Sequence, residues 1–114
     1  MANSEMNYIE PYKVNRELIT ITPTGAGANA VVLAEVVNGI CYVYFRYIQY
    51  TNSGGSWQTL CTLPEGYIPK YFIDTALGGN GAYGVATVGT SSEIAILSPT
   101  LNVNMFGCIS YPVD

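Results

Sequence analysis

Short apolar runs, each broken after a few residues by Gly, Pro, Asn or Ser, recur from Glu17 to the C-terminal end, and within them apolar and polar positions tend to alternate. Alternation is the mark of a strand, whose successive side chains point to opposite faces. The runs at 17–22, 30–37, 40–50, 56–62, 69–76, 82–88, 93–98 and 103–111 are read as eight strands. Turn clusters every eight to twelve residues or so are the pattern of a sandwich or barrel. Glycine interrupts most windows and no long stretch keeps a helical period, so little or no helix is expected. The fold class that follows is all-β: an antiparallel two-sheet β-sandwich, jelly-roll-like, of about eight short strands. Residues 1–16 are polar and Asn-rich and read as an N-terminal lead-in or linker, with residues 17–114 as a single β-sandwich domain.

The clearest local signal is Asn38-Gly39, the favoured pair for a two-residue type I′ hairpin turn, between the runs 30–37 and 40–50. Pairing about that turn sets Val37 against Ile40 and Val31 against Arg46. Ala30, Val32, Ala34 and Val36 then share a face with Cys41, Val43, Phe45 and Tyr47, and this apolar face is the predicted core. The opposite face carries Val31, Leu33, Glu35 and Val37 with Tyr42, Tyr44, Arg46 and Ile48, too apolar for plain solvent and too polar for a sealed interior. Two readings of it stay open, a second layer of this chain or the surface of a partner. On the second, Leu33, Tyr42, Tyr44, Arg46 and Ile48 form a self-association interface, with tyrosine hydroxyls able to reach water at its rim. Further turns are expected at 51–55, 77–81, 89–92 and 98–102, the second of these breaks being Leu77-Gly78-Gly79-Asn80-Gly81.

Composition sharpens this picture. Charged residues are 11% of the 114 positions, less than half the roughly 25% of an ordinary soluble domain, whereas apolar types reach 49% and tyrosine numbers 10. Much of the surface must therefore be neutral, which suits docking against another chain. With a net charge of −4 and only Lys13, Arg16, Arg46 and Lys70 positive, there is no basic stripe to neutralise a phosphate backbone, and nucleic acid is not an expected partner. No apolar run approaches the roughly twenty residues of a membrane-spanning helix. The polar N-terminal stretch has no signal-peptide pattern, so synthesis without a signal peptide is the expectation.

Catalysis lacks its usual parts. Histidine is absent, which removes the general base of a Ser-His or Cys-His pair. Cys41, Cys61 and Cys108 lie far apart in apolar runs and read as three buried thiols, neither a disulfide framework nor a metal set. No catalytic residue, metal ligand or cofactor is therefore assigned. Glu65, Asp74 and Glu93 are the acids a glycosidase would need to bring together, and each reads as a solubilising charge at a turn or strand edge. Trp57 and Gln58, with Asn52 and Ser53 in the preceding loop, form an aromatic-plus-amide grouping of the kind that stacks on a sugar ring and bonds its hydroxyls. Asn80 and Tyr83 join them as candidate saccharide-binding residues.

Leu63-Pro64-Glu65-Gly66-Tyr67-Ile68-Pro69 leading into a strand, the Gly-bounded strands after it, and a closing Gly107-Cys108-Ile109-Ser110-Tyr111 form a pattern spanning roughly residues 57–111. It resembles the C-terminal head (receptor-binding) domains of tail-fibre and baseplate proteins from phages and prophages of Gram-positive hosts. In the first motif Pro64 and Pro69 restrict the backbone and Gly66 permits positive φ, so its role is structural. The resemblance implies a non-enzymatic virion tail-tip module, made in the bacterial cytoplasm, that trimerises, binds host cell-wall or cell-surface saccharide and contacts other tail or baseplate proteins. A structural virion protein without receptor binding is the alternative, and a cell-wall glycosidase a more distant one.

Overall fold

The computed structural model describes residues 14–113. Among them there is no helix, and eight strands follow in order: β1 (Arg16–Ile21), β2 (Val31–Val37), β3 (Ile40–Ile48), β4 (Gln58–Thr62), β5 (Ile73–Gly79), β6 (Ala82–Val88), β7 (Glu93–Leu97) and β8 (Met105–Pro112). All eight predicted strands are present. The 1–16 lead-in falls largely outside the described residues; Val14 and Asn15 are tied to the Asn38-Gly39 turn, through Gly39 N–H to the Val14 carbonyl and Asn38 N–H to Asn15 Oδ1.

Every pairing is antiparallel, and the strands hydrogen-bond in the single order β1-β2-β3-β8-β5-β6-β7-β4. One nearly closed, barrel-like sheet thus stands where two separate sheets are predicted. The reason is β8, which pairs along most of β3 and also meets β5 at Gly78 and Phe106. At the opposite seam Thr24 N–H donates to the Leu60 carbonyl at 2.7 Å, bringing the chain after β1 onto β4. Closure of this kind satisfies edge groups that an open sheet leaves bare.

The β2–β3 hairpin has the predicted register, with Val31 opposite Arg46 and Val37 opposite Ile40, and Asn38 and Gly39 both at positive φ (52° and 80°) as a type I′ turn requires. Val32, Ala34, Val36, Cys41, Val43 and Phe45 are buried in the core as expected. Tyr47 and Ile48 exchange places. Between the Phe45–Gly107 and Ile48–Met105 pairs, Arg46 and Tyr47 oppose the single residue Phe106, a β-bulge with Tyr47 at φ 56°. The extra residue reverses the alternation: Ile48 is fully buried, and Tyr47, expected in the core, lies outside against Phe106 with ring centroids 5.1 Å apart. Ile48 therefore leaves the outer face on which Leu33, Tyr42 and Tyr44 remain, half-buried.

β5 and β6 form a second hairpin on the same rule. The break expected at 77–81 is tighter than predicted: β5 continues through Gly78 and Gly79, and the turn is Asn80-Gly81, with φ of 54° and 80°. Cys41 and Cys61 are buried, and burial pushes the Cys61 thiol up to about 12. Cys108 is a correction to the three-buried-thiol expectation. It stands opposite Tyr44 on the outer face and is exposed, while Ile109 next to it turns inward.

Candidate functional site

The antiparallel order sorts the connections to two ends. Both described termini lie at the Asn38-Gly39 turn, where Gly39 N–H bonds Val14 and the Gly39 carbonyl accepts from Val113 N–H. The 63–72 connection, carrying the Pro64–Pro69 motif, and the 89–92 turn share this end. At the opposite, distal end stand the loops 22–30, 49–57 and 98–104 and the Asn80-Gly81 turn. Cross-links brace them together: Gln49 N–H to the Ala26 carbonyl, Asn102 N–H to the Tyr50 carbonyl, Gln49 Nε2 to Asn104 Oδ1, and Asn80 Nδ2 to the Asn104 carbonyl.

An open groove of about 580 Å³ lies at this distal end, lined by the 50–55 loop, the first half of β6 and the chain from Leu97 to Leu101. Gly84 helps make it. A Cβ there would stand 2.8 Å from the Leu97 carbonyl oxygen and 3.1 Å from Ser98 Cβ, so the bare glycine admits the end of β7 close against β6. Buried Ser98 then donates its hydroxyl to the Tyr83 carbonyl at 2.6 Å and accepts from Thr100 N–H, fixing one wall. The other wall is braced by Asn52. Its Nδ2 donates to the Ser56 carbonyl and Oγ, and its Oδ1 accepts from Gly54 N–H. Tyr50, buried beneath, donates its hydroxyl to the Ser56 carbonyl at 2.5 Å.

Of the six residues singled out for saccharide binding, the structure brings Asn52, Ser53 and Tyr83 into this groove. Tyr83 is 68% exposed at its rim. Trp57, Gln58 and Asn80 lie at the same end but outside the lining. Gln58 accepts from Thr51 N–H and donates to the Gly25 carbonyl, Asn80 holds Asn104, and Trp57 is half exposed. Val85, Leu97, Pro99 and Leu101, which supply most of the apolar lining, carried no separate signal in the sequence. Gly84, an isolated glycine within a strand pattern, did mark the close approach. None of Glu65, Asp74 and Glu93 lines the groove, and Asp74 accepts a hydrogen bond from Thr87 across the β5–β6 pair.

A second exposed region is the outer face of β2 and β3. There Tyr44 donates its hydroxyl to Glu35 at 2.7 Å, and this bond pushes the phenol up to about 12. Arg46 lies over the Tyr47 ring, 5.5 Å from its centroid.

These features define a small antiparallel, barrel-like β fold, with its described termini at one end and a braced, open groove at the other. No family model matches the chain, and no curated protein matches it. Among solved structures it is similar to the head domain of phage bIL170, described with the receptor-binding domains of lactococcal phages: TM-score 0.67, 15% identity, covering 87% of this chain and 99% of that one. At this identity the likeness is one of fold, and it extends the resemblance from the 57–111 pattern to nearly the whole chain.

Proposed function

We propose that this domain is a non-enzymatic receptor-binding head of a phage or prophage tail tip, which recognises saccharide on the surface of a Gram-positive host. The observation that carries the reading is the open groove with an exposed tyrosine at its rim, at the end of the barrel opposite the described termini. A head joined to other tail or baseplate proteins near its termini would present those distal loops outward. Small-molecule sites are concave and lined mainly by apolar and aromatic groups with a few placed polar ones, which is the make-up of this lining. The fold shared with a phage head domain supports the same assignment.

The test is binding of the fluorescently labelled protein to a panel of Gram-positive cells, with purified wall polysaccharide as competitor. Saturable, competable binding is expected, and Tyr83→Ala should weaken it by about 1 kcal/mol or more, roughly fivefold, as loss of an exposed aromatic contact does. Absence of binding to every cell and polysaccharide, with binding only to other virion proteins, would replace this reading by that of a structural virion protein.

The head is further proposed to self-associate, as a homotrimer, through the outer face bearing Leu33, Tyr42, Tyr44 and Arg46. These side chains are at least partly exposed in the single chain and form an aromatic, arginine-bearing patch of the sort that marks interfaces. Light scattering is expected to give a mass well above the 12.3 kDa of one chain at micromolar concentration, and Tyr42→Glu to lower it; a 12.3 kDa species throughout would remove the proposal.

A further inference from the structure

We infer that the distal groove takes an uncharged, methyl-bearing pyranose unit, a deoxyhexose or an N-acetylated hexosamine, and not a phosphate-bearing or fully hydroxylated one. The inference rests on the saccharide reading above and names the chemistry of its ligand.

Charge comes first. No Lys, Arg, Asp or Glu lines the groove. An anionic group without a cation can still be held by a nest of free backbone N–H groups. Four N–H groups of the two loops are already used. Gly54 bonds Asn52 Oδ1, Gly55 bonds the Asn52 carbonyl, Thr100 bonds Ser98 Oγ and Asn102 bonds the Tyr50 carbonyl. A phosphate entering the groove would lose hydration and gain no charged partner from the lining.

The side-chain hydrogen-bonding capacity is spent in the same way. Both protons of the Asn52 amide go to Ser56, the Ser98 hydroxyl donates to Tyr83 and accepts from Thr100, and the Tyr50 hydroxyl donates to Ser56. Among the described residues the Ser53 and Tyr83 hydroxyls are the lining side-chain donors with no bond to the rest of the chain. Two hydroxyls at the mouth and an apolar wall of Val85, Leu97, Pro99 and Leu101 cannot satisfy a sugar that turns hydroxyls toward every side, because each hydroxyl sealed without a partner weakens binding. A methyl group in place of a hydroxyl meets that wall favourably, and the Tyr83 ring offers a face for the C–H side of the pyranose.

The test titrates isotope-labelled full-length protein with rhamnose, N-acetylglucosamine, mannose, glucose and glycerol phosphate, following the backbone amides of Gly55, Tyr83, Gly84, Leu97 and Leu101 by NMR. Rhamnose and N-acetylglucosamine are expected to shift these amides, with affinity at least about fourfold above mannose and glucose, the factor one buried methyl supplies. The affinity should not change between low and high salt. Leu101→Asp, at a partly exposed wall position, should abolish the shifts, and Tyr71→Ala at the other end should leave them intact. Equal affinity for mannose and glucose, or shifts of the same amides by glycerol phosphate, would overturn the inference. So would silence from all five probes in a protein that still binds cells, a result that leaves the receptor-binding role standing. Titration by the methyl-bearing sugars in a protein that binds no cell or polysaccharide would instead uphold the groove chemistry and remove the role.

Discussion

Phe45→Ala is expected to lower the unfolding free energy by about 3–5 kcal/mol, the range for removing a large buried aromatic ring. Phe45 is 1% exposed at the middle of β3, opposite fully buried Val32 on β2 and Gly107 on β8. Its surroundings are poorly placed to collapse into the space. Gly107 has no side chain to swing in, and Leu77 of β5 already sits where a Gly107 Cβ would be, its Cδ2 2.8 Å from that point. Three strands from both halves of the barrel meet around this position, so the cavity would loosen the link between β8 and β5, which pair only at Gly78 and Phe106. Small domains have stabilities of about 5–15 kcal/mol, so the variant should melt far below the parent and approach unfolding in mild denaturant. A loss below about 1 kcal/mol in urea denaturation would mean that this part of the core repacks freely, contrary to the geometry described.

Tyr111→Phe is the second large effect, at about 1–3 kcal/mol, because it removes one hydroxyl and leaves a buried carbonyl without its partner. Tyr111 is 1% exposed on β8 and donates its hydroxyl to the Tyr67 carbonyl at 2.6 Å, and the Cys41 thiol bonds the same side chain. Burial first, and the bond to Cys41 second, push the Tyr111 phenol up, which keeps it neutral and donating through the ordinary pH range. Tyr67 extends the chain of contacts by donating to the Glu17 carbonyl on β1 at 2.9 Å. The Pro64–Pro69 motif is thus a strap across the end of the barrel that holds β1 and β8. Its turn is closed by Tyr67 N–H to the Pro64 carbonyl, with Gly66 at φ 93° and packed so tightly that a Cβ would stand 2.6 Å from Arg16 Nε. Denaturant unfolding of Tyr111→Phe should show the loss, and the distal groove, at the other end, should keep its ligand affinity. An unchanged denaturation midpoint would show that the hydroxyl bond contributes nothing net.

Residue order and type were enough to specify the strands and much of their facing. Asn38-Gly39 specified a turn geometry that few other pairs adopt, and the two-residue period then carried the register outward to Val31 and Arg46. The same dipeptide at Asn80-Gly81 held equal information, obscured by the two glycines before it, which pair within β5 instead of turning. Tertiary structure alone decided three things. The bulge at Arg46-Tyr47 sends Ile48 into the core and Tyr47 out against Phe106, because β8 contributes one residue where β3 contributes two. Closure into one sheet depends on β8 serving both halves, a pairing between strands distant in sequence that no local pattern encodes. The groove, likewise, is assembled from the 50–55 loop, β6 and the 97–101 segment, and only three of its lining residues, Asn52, Ser53 and Tyr83, had been named for a ligand from type alone. Leu97 and Leu101 look like core residues in the sequence, since apolarity records that a side chain avoids water without recording whether protein or ligand is to cover it.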